Sequence, residues 1–327
     1  MKLKKFIKEN YKYISIIIII VLFFNIKLPY YIMAPGGVID ITDRVVMDNY
    51  KKEDKGSINM LYVSEYSATP ASMLMAKLRG FDIEENKSRQ ISNETVKEIN
   101  TRNKIMRDNS LDIATMVAYN EAGKKINIKE KKNIVIAVTK ENGLEIGDII
   151  LSLDKQEINS IEDIKKIINS KEENDIINFK IKRDNKEKEI NSKVLIENNT
   201  KVVGVVIITE YDYDIEPNID IKFKDSESGS SGGLMLSLTI YNAITNDDII
   251  KNRKIAGTGT ISSDGSVGEI DGVKYKIMGA AKANADIVFV PSANYEEAIM
   301  VNNKYKYNLN IIRVDTFKEA IEYLKNN

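Results

Sequence analysis

The 327 residues contain no cysteine, no histidine and no tryptophan. Disulfides, zinc sites built on thiolate or imidazole, and cysteine-ligated iron-sulfur clusters are therefore closed to this chain. Its folded state has to rest on hydrophobic cores, and 43% hydrophobic residues over this length suit two or three domains. The same absences restrict its chemistry. A Ser-His-Asp triad and a cysteine nucleophile are excluded, so a hydrolase of this composition needs Lys, Asp, Glu or an amine terminus as its base. Without thiols, the redox compartment cannot be read from the sequence.

Charge excludes a further class. The 48 Lys and Arg balance the 48 Asp and Glu, so no global field gathers nucleic acid, and no local basic patch replaces it. At the N-terminus Lys2, Lys4, Lys5, Lys8 and Lys12 face a single Glu9, and Ile16 to Phe24 then run without a polar side chain. The uninterrupted stretch from Tyr13 to Phe24 rises only about 18 Å as helix, against roughly 30 Å of hydrocarbon. A cleaved signal peptide is the rival reading, but Ala34, the one small residue in place, is followed by Pro35 and has Ile32 at the other key position. We expect an uncleaved single-pass transmembrane anchor in the cell membrane, with Lys12 and Lys27 snorkelling and Tyr11, Tyr13, Tyr30 and Tyr31 at the interfaces. The basic flank then puts the N-terminus in the cytoplasm and the bulk of the chain outside.

Alternating stretches at Val38 to Val46 and Ile58 to Val63 read as strands, and Ala71 to Lys77 and Asn93 to Tyr119 as helices. Near Lys131 begins a unit of order strand, turn, strand, helix, strand, ending at Arg183. From Val202 onward strands mix with helices at Leu234 to Thr245, Val273 to Ala283 and Thr316 to Leu324. The expected class is α+β, divided into an anchor (1–34), an anchor-proximal α+β segment (35–130), a middle domain (131–195) and a C-terminal domain (196–327).

Nine of the 17 glycines fall between Gly229 and Gly279, where backbone must approach a ligand or turn sharply. Gly229-Ser230-Ser231-Gly232-Gly233 leads into an apolar helix, so a hydroxyl sits at a helix N-terminus. Free N–H groups and the helix dipole there suit an oxyanion, or a phosphate. Phosphate is disfavoured because no basic residue lies within Gly229 to Asn246. A serine here needs an activator, and lysine can act only if burial brings it to the neutral form near pH 7. Lys276 shares a helix face with Val273 and Ala280, and Lys274 one with Ile277 and Met278; spacing alone does not choose between them.

Residues Val202 to Leu324 resemble the proteolytic domain of Lon-type peptidases, in the turn Gly229 to Met235, the block Ile255 to Ile261, Gly265, Val267-Gly268, Gly272-Val273 and Lys276. The resemblance implies a Ser-Lys dyad of Ser231 and Lys276, with Thr258 orienting the amine and Gly229, Ser230, Gly232 and Gly233 forming the turn. Where that family has Gly-Pro-Ser-Ala-Gly, this chain has Ser230 and Gly232 in place of Pro and Ala, which loosens the turn. Ser230 and Ser228 lie beside Ser231, and only Ser231 keeps the spacing to Gly233-Leu234-Met235.

The middle domain resembles a PDZ domain of the bacterial protease type, in Leu144 to Leu151 and Ile158 to Asp163. That resemblance implies peptide capture by strand addition, with Lys132, Asn133, Ile134 and Val135 as the receiving loop. Anchor, PDZ and Lon-type domain together resemble membrane-anchored PDZ Lon-like serine proteases. The function this implies is an ATP-independent endopeptidase acting on extracytoplasmic polypeptides, since the sequence holds no Gly-x-x-x-x-Gly-Lys-Ser/Thr loop. No cofactor, metal, nucleotide or nucleic acid is expected; Asp225 and Glu227 lack the spacing of a calcium loop. Self-association and the role of the PDZ unit, delivery of substrate or control of access, are left open. The alternative is a non-enzymatic membrane-anchored PDZ adaptor with an inactive Lon-like domain.

Overall fold

The computed structural model describes residues 2–47, 55–91, 94–222 and 230–327. It opens with helix α1 (Lys2–Asn25), whose apolar side chains from Ile16 to Phe24 are exposed all round. Among the described residues, no helix is long and apolar enough to cross a membrane. Four residues later begins β1 (Tyr30–Asp40), followed by β2 (Ser57–Ser67), α2 (Pro70–Arg79), β3 (Asp82–Glu85) and α3 (Val96–Glu121). Reciprocal capping boxes start α2 (Thr69 with Ser72) and α3 (Thr95 with Glu98), and Gly80 in the left-handed conformation ends α2. Tyr31, expected at a membrane interface, lies inside the sheet instead, 7% exposed, its hydroxyl donating to Glu84 at 2.5 Å.

Next come β4 (Lys125–Val138), β5 (Ile149–Leu153), α4 (Ile161–Asn169), β6 (Ile176–Arg183), β7 (Lys186–Lys193) and β8 (Val205–Glu216). They form an antiparallel sheet of order β8-β4-β5-β6-β7. Ile164, Ile167 and Ile168 of α4 pack on Val135, Leu153 and Phe179 of this sheet. Arg183 bonds the buried carboxylate of Asp148 from Nε and Nη2, both at 2.6 Å.

The C-terminal third supplies α5 (Gly233–Ile244), β9 (Lys254–Gly257), the ribbon β10 (Thr260–Ile261) and β11 (Val267–Gly268), α6 (Val273–Lys282), β12 (Ile287–Pro291), α7 (Ser292–Tyr305), β13 (Ile311–Val314) and α8 (Phe317–Asn326). Its strands do not make a sheet by themselves. The order is β13-β12-β9-β2-β1-β3, so β2 lies parallel to β9 at the centre, and β1 pairs antiparallel with β2.

Strands of the expected 35–130 segment are thus part of the sheet of the expected 196–327 domain, so these two are not separate folds. The physical reason is pairing: without β2, the N–H and C=O groups along one side of β9 would be buried unpaired. Asn59 adds a side-chain bond to the Ile255 carbonyl at 3.1 Å.

Successive residues of each strand feed opposite cores. Ile58, Ile255 and Phe289 face α3, α5 and α8, whereas Leu61, Ala256 and Val288 face α6 and α7. Helix α5 is buried almost throughout between sheet and α3, which explains its apolar sequence on every face. The PDZ-like sheet joins this body through the long β4–β8 ladder, whose far end carries Ile126 and Ile215 onto the α5 core.

Candidate functional site

The turn before α5, the residue after β9 and the second turn of α6 converge. Leu234 N–H donates to the Gly259 carbonyl at 3.1 Å, and Gly259 N–H donates back to the Ser231 carbonyl at 2.8 Å. Thr258 is held by its own N–H on Phe289 of β12, at 3.1 Å. Its hydroxyl donates to the Ser231 carbonyl at 3.0 Å and accepts from Lys276 Nζ at 3.1 Å. A hydroxyl has one proton. With that proton on Ser231 O, the lone pairs of Thr258 can only receive, so the lysine must donate.

Lys276 is 4% exposed. Burial pulls its pKa down to about 8, against the opposing carboxylate of Asp271. The structure separates the two lysines that spacing left level. Lys274 points outward to the Gly80 carbonyl and the Asp82 carboxylate; burial would lower its pKa, but its bonds to Tyr275 and Asp82 outweigh this and the net shift is upward.

Ser230, Ser231 and Lys276 line one cleft of about 640 Å³. Its floor is Met60 to Val63 of β2, and its opposite wall is Arg102, Asn103, Met106 and Arg107 of α3. Ser231 Oγ makes no hydrogen bond to Lys276 among the described residues, a looseness common in sites without substrate. Gly229 lies outside the described residues, as do Ser228, Asp225 and Glu227. Gly233 N–H is taken by the Ser230 carbonyl at 3.2 Å, so of the expected oxyanion donors the amides of Ser231 and Gly232 have no acceptor among the described residues.

Gly232 has an ordinary right-handed conformation, so it is not there to loosen the turn. A Cβ at that position would overlap Met60 Sδ, and the methionine fills the space alanine would take.

Lys132, Asn133, Ile134 and Val135 do not form a loop. They sit within β4, all paired with β8 on one side; on the other, Asn133 and Ile134 pair with β5 and Val135 N–H donates to the Asp148 carbonyl. Asn133, Ile134 and Val135 are buried, so no peptide can add there. The resemblance to a PDZ domain implied the loop, whereas Ile134 to Val138 run as an interior strand.

With β7 at the other margin, β8 is an edge strand of this sheet. Its outer side is partly closed by α3: Asn109 Nδ2 donates to the Thr209 carbonyl at 2.6 Å, and Asp112 accepts from Tyr211 N–H at 3.3 Å. Val205 to Ile208 have no second strand among the described residues, and Val203, Val205 and Ile207 share a core with α4. Asp112 is pushed up to about 6 by burial, against its bonds from Tyr211 and Tyr213. Neighbouring Glu210 is also raised, by burial first and then by Asp112 and Asp108.

The α3 wall, including Ser110, whose Oγ donates to the Ser230 carbonyl at 3.4 Å, was missed from the sequence. Only the helical periodicity of residues 93–119 marked it, and that carries no chemistry.

Two stretches of the chain match known domain models, one of a proteolytic domain and one of a PDZ domain. Residues 222–326 match the model of the Lon protease (S16) C-terminal proteolytic domain, and residues 120–194 match that of the PDZ domain. The chain is 32% identical over 109 residues to the archaeal Lon protease of Halobacterium salinarum, covering 33% of this chain and 15% of that protein. It is 34% identical over 110 residues to the Lon protease of Campylobacter jejuni, covering 32% and 14%. The chain thus spans about one seventh of the length of these curated relatives. Among solved structures, the PDZ domain of an SdrC-like protein from Listeria innocua matches at 27% identity and a TM-score of 0.22, covering 23% of this chain and 92% of that one.

Proposed function

We propose that this chain is a membrane-attached serine endopeptidase with a Ser-Lys dyad, acting on extracytoplasmic polypeptides without ATP. The observation that carries the reading is the buried Lys276, bonded through Thr258 to the backbone of Ser231. A neutral amine has two protons and one lone pair. Giving one proton to Thr258 leaves the lone pair to turn toward Ser231 Oγ in the cleft they share. Ser231 attacks the scissile carbonyl as Lys276 takes its proton, and the oxyanion forms against the N–H groups of Ser231 and Gly232 at the N-terminus of α5. The lysine ammonium then protonates the leaving amine. Water, deprotonated by the same lysine, releases the acyl group and restores the serine.

The membrane part rests on the basic and then apolar sequence of α1, with the N-terminus cytoplasmic. Cleavage after Ala34 would cut β1 in two and remove fully buried Ile32 from the core, which supports a retained α1. Peptide binding by the PDZ unit is assigned to the open β8 edge beside α4. The absence of a P-loop from these residues supports ATP independence.

The test is hydrolysis of an unstructured polypeptide by the purified full chain, with Ser231→Ala, Ser230→Ala and Lys276→Ala. Activity lost in Ser231→Ala and Lys276→Ala but kept in Ser230→Ala supports the dyad. No cleavage by the unmodified chain, with tail binding intact, supports the adaptor reading instead.

A further inference from the structure

Helix α2 carries an apolar face that the fold leaves uncovered: Leu74, Met75 and Leu78 are 53%, 48% and 75% exposed. At ~100° per residue the three form one stripe, with Lys77 on one flank and Arg79 on the other. The inner side of the helix, Met73 and Ala76, packs with Ile32 and Leu28. That arrangement, an apolar stripe between two cations, is the pattern of a helix lying in a headgroup layer.

Its position relative to α1 supplies the occupant. Only Ile26 to Pro29 separate α1 from β1, and Leu28 N–H is bonded to the Ala68 carbonyl at 2.8 Å, two residues before α2 begins. The end of α1 and the start of α2 are therefore fixed to one another. The apolar part of α1, Tyr13 to Phe24, rises about 18 Å, short of a roughly 30 Å hydrocarbon layer. A short apolar segment lowers its mismatch when the attached body is drawn down onto the bilayer.

We propose that α2 is a second membrane contact, its Leu74, Met75 and Leu78 stripe lying at the boundary between lipid headgroups and acyl chains. This inference rests on the membrane attachment proposed for α1. Through Gly80, the residue that ends α2 and accepts from Lys274 of α6, the contact also fixes the height of the catalytic helix above the lipid.

The natural absence of cysteine allows a clean test. Single-cysteine variants Ile18→Cys, Leu78→Cys and Lys318→Cys of the full chain are labelled with an environment-sensitive fluorophore. They are placed in nanodiscs of phosphatidylcholine and phosphatidylglycerol, where iodide reaches both faces. Lipid-borne nitroxide should quench the labels at 18 and 78, with a shallow nitroxide more effective at 78, and iodide should quench the label at 318 several-fold more than that at 78. If the label at 78 responds to iodide as the one at 318 does while that at 18 is quenched by lipid, the α2 contact is wrong and the anchor stands. A label at 78 shielded from both quenchers means that protein covers the stripe, which also overturns the contact. If lipid quenches neither 18 nor 78, both readings fall.

Discussion

With a pKa of about 8, one Lys276 in about ten is neutral at pH 7, against about one in 3,000 for a lysine at its ordinary 10.5. The folded site therefore raises the supply of free base about 300-fold, a gain that disappears if the amine is solvated. Peptidase kcat/KM should rise tenfold per pH unit below about 8 and level off above it. The carboxylate of Asp271 opposes this depression. Asp271→Asn should move the limb to lower pH, so that the variant outpaces the parent at pH 6 and matches it at pH 9. Initial rates on a fluorogenic peptide across this range, at substrate well below KM, measure the limb directly. A limb near the ordinary lysine value, a rate independent of pH, or a limb that Asp271→Asn moves upward would refute the reasoning.

Thr258→Val keeps the shape of a side chain that is 1% exposed but removes the bridge to Lys276; kcat should fall about a hundredfold with KM little changed, as for loss of one buried polar partner in a site. Lys276→Met should abolish activity yet stabilise the fold. Because the native pKa lies below the unfolded one, the unfolded chain binds more protons between pH 8 and 10.5, so stability rises with pH across that window and the burial penalty is full below it. Denaturant titration at pH 7 should find the variant more stable by about 3 kcal/mol, and the difference should vanish near pH 11. Arg183→Met leaves the buried Asp148 carboxylate unpaired, and the PDZ-like unit should lose about 3–5 kcal/mol, seen as selective loss of amide protection in β5 and β6.

Chemistry was legible in the sequence wherever it depends on a few fixed residue types. The turn at Ser231, the Thr258 block and the helix of Lys276 are local patterns, and the structure brings them together. Spacing does not decide Lys274 against Lys276, a choice that rests on the resemblance, since both lie on a helix with apolar neighbours and only the packing around α6 encloses one of them. Residues 30–67 were assigned outside the C-terminal fold because pairing of β2 with β9 spans nearly two hundred residues and leaves no periodic trace. Tyr30 and Tyr31 read as membrane-interface residues because aromatics suit interfaces and strands alike. The loop expected at Lys132 to Val135 rests on resemblance alone, which does not carry the long-range pairing with β8 that covers this strand.

Two consecutive residues of α3 face in different directions, Asn109 to the β8 edge at Thr209 and Ser110 to the carbonyl of Ser230. On the proposed reading, peptide docking and bond cleavage therefore lie on different sides of the same helix. A tail that stops at Ile208 can dock without disturbing this partition, whereas one long enough to pair at Thr209 must first evict Asn109. On that reading the helix sets a length limit, and a longer tail displaces Asn109, the neighbour of the residue that bonds the Ser230 carbonyl.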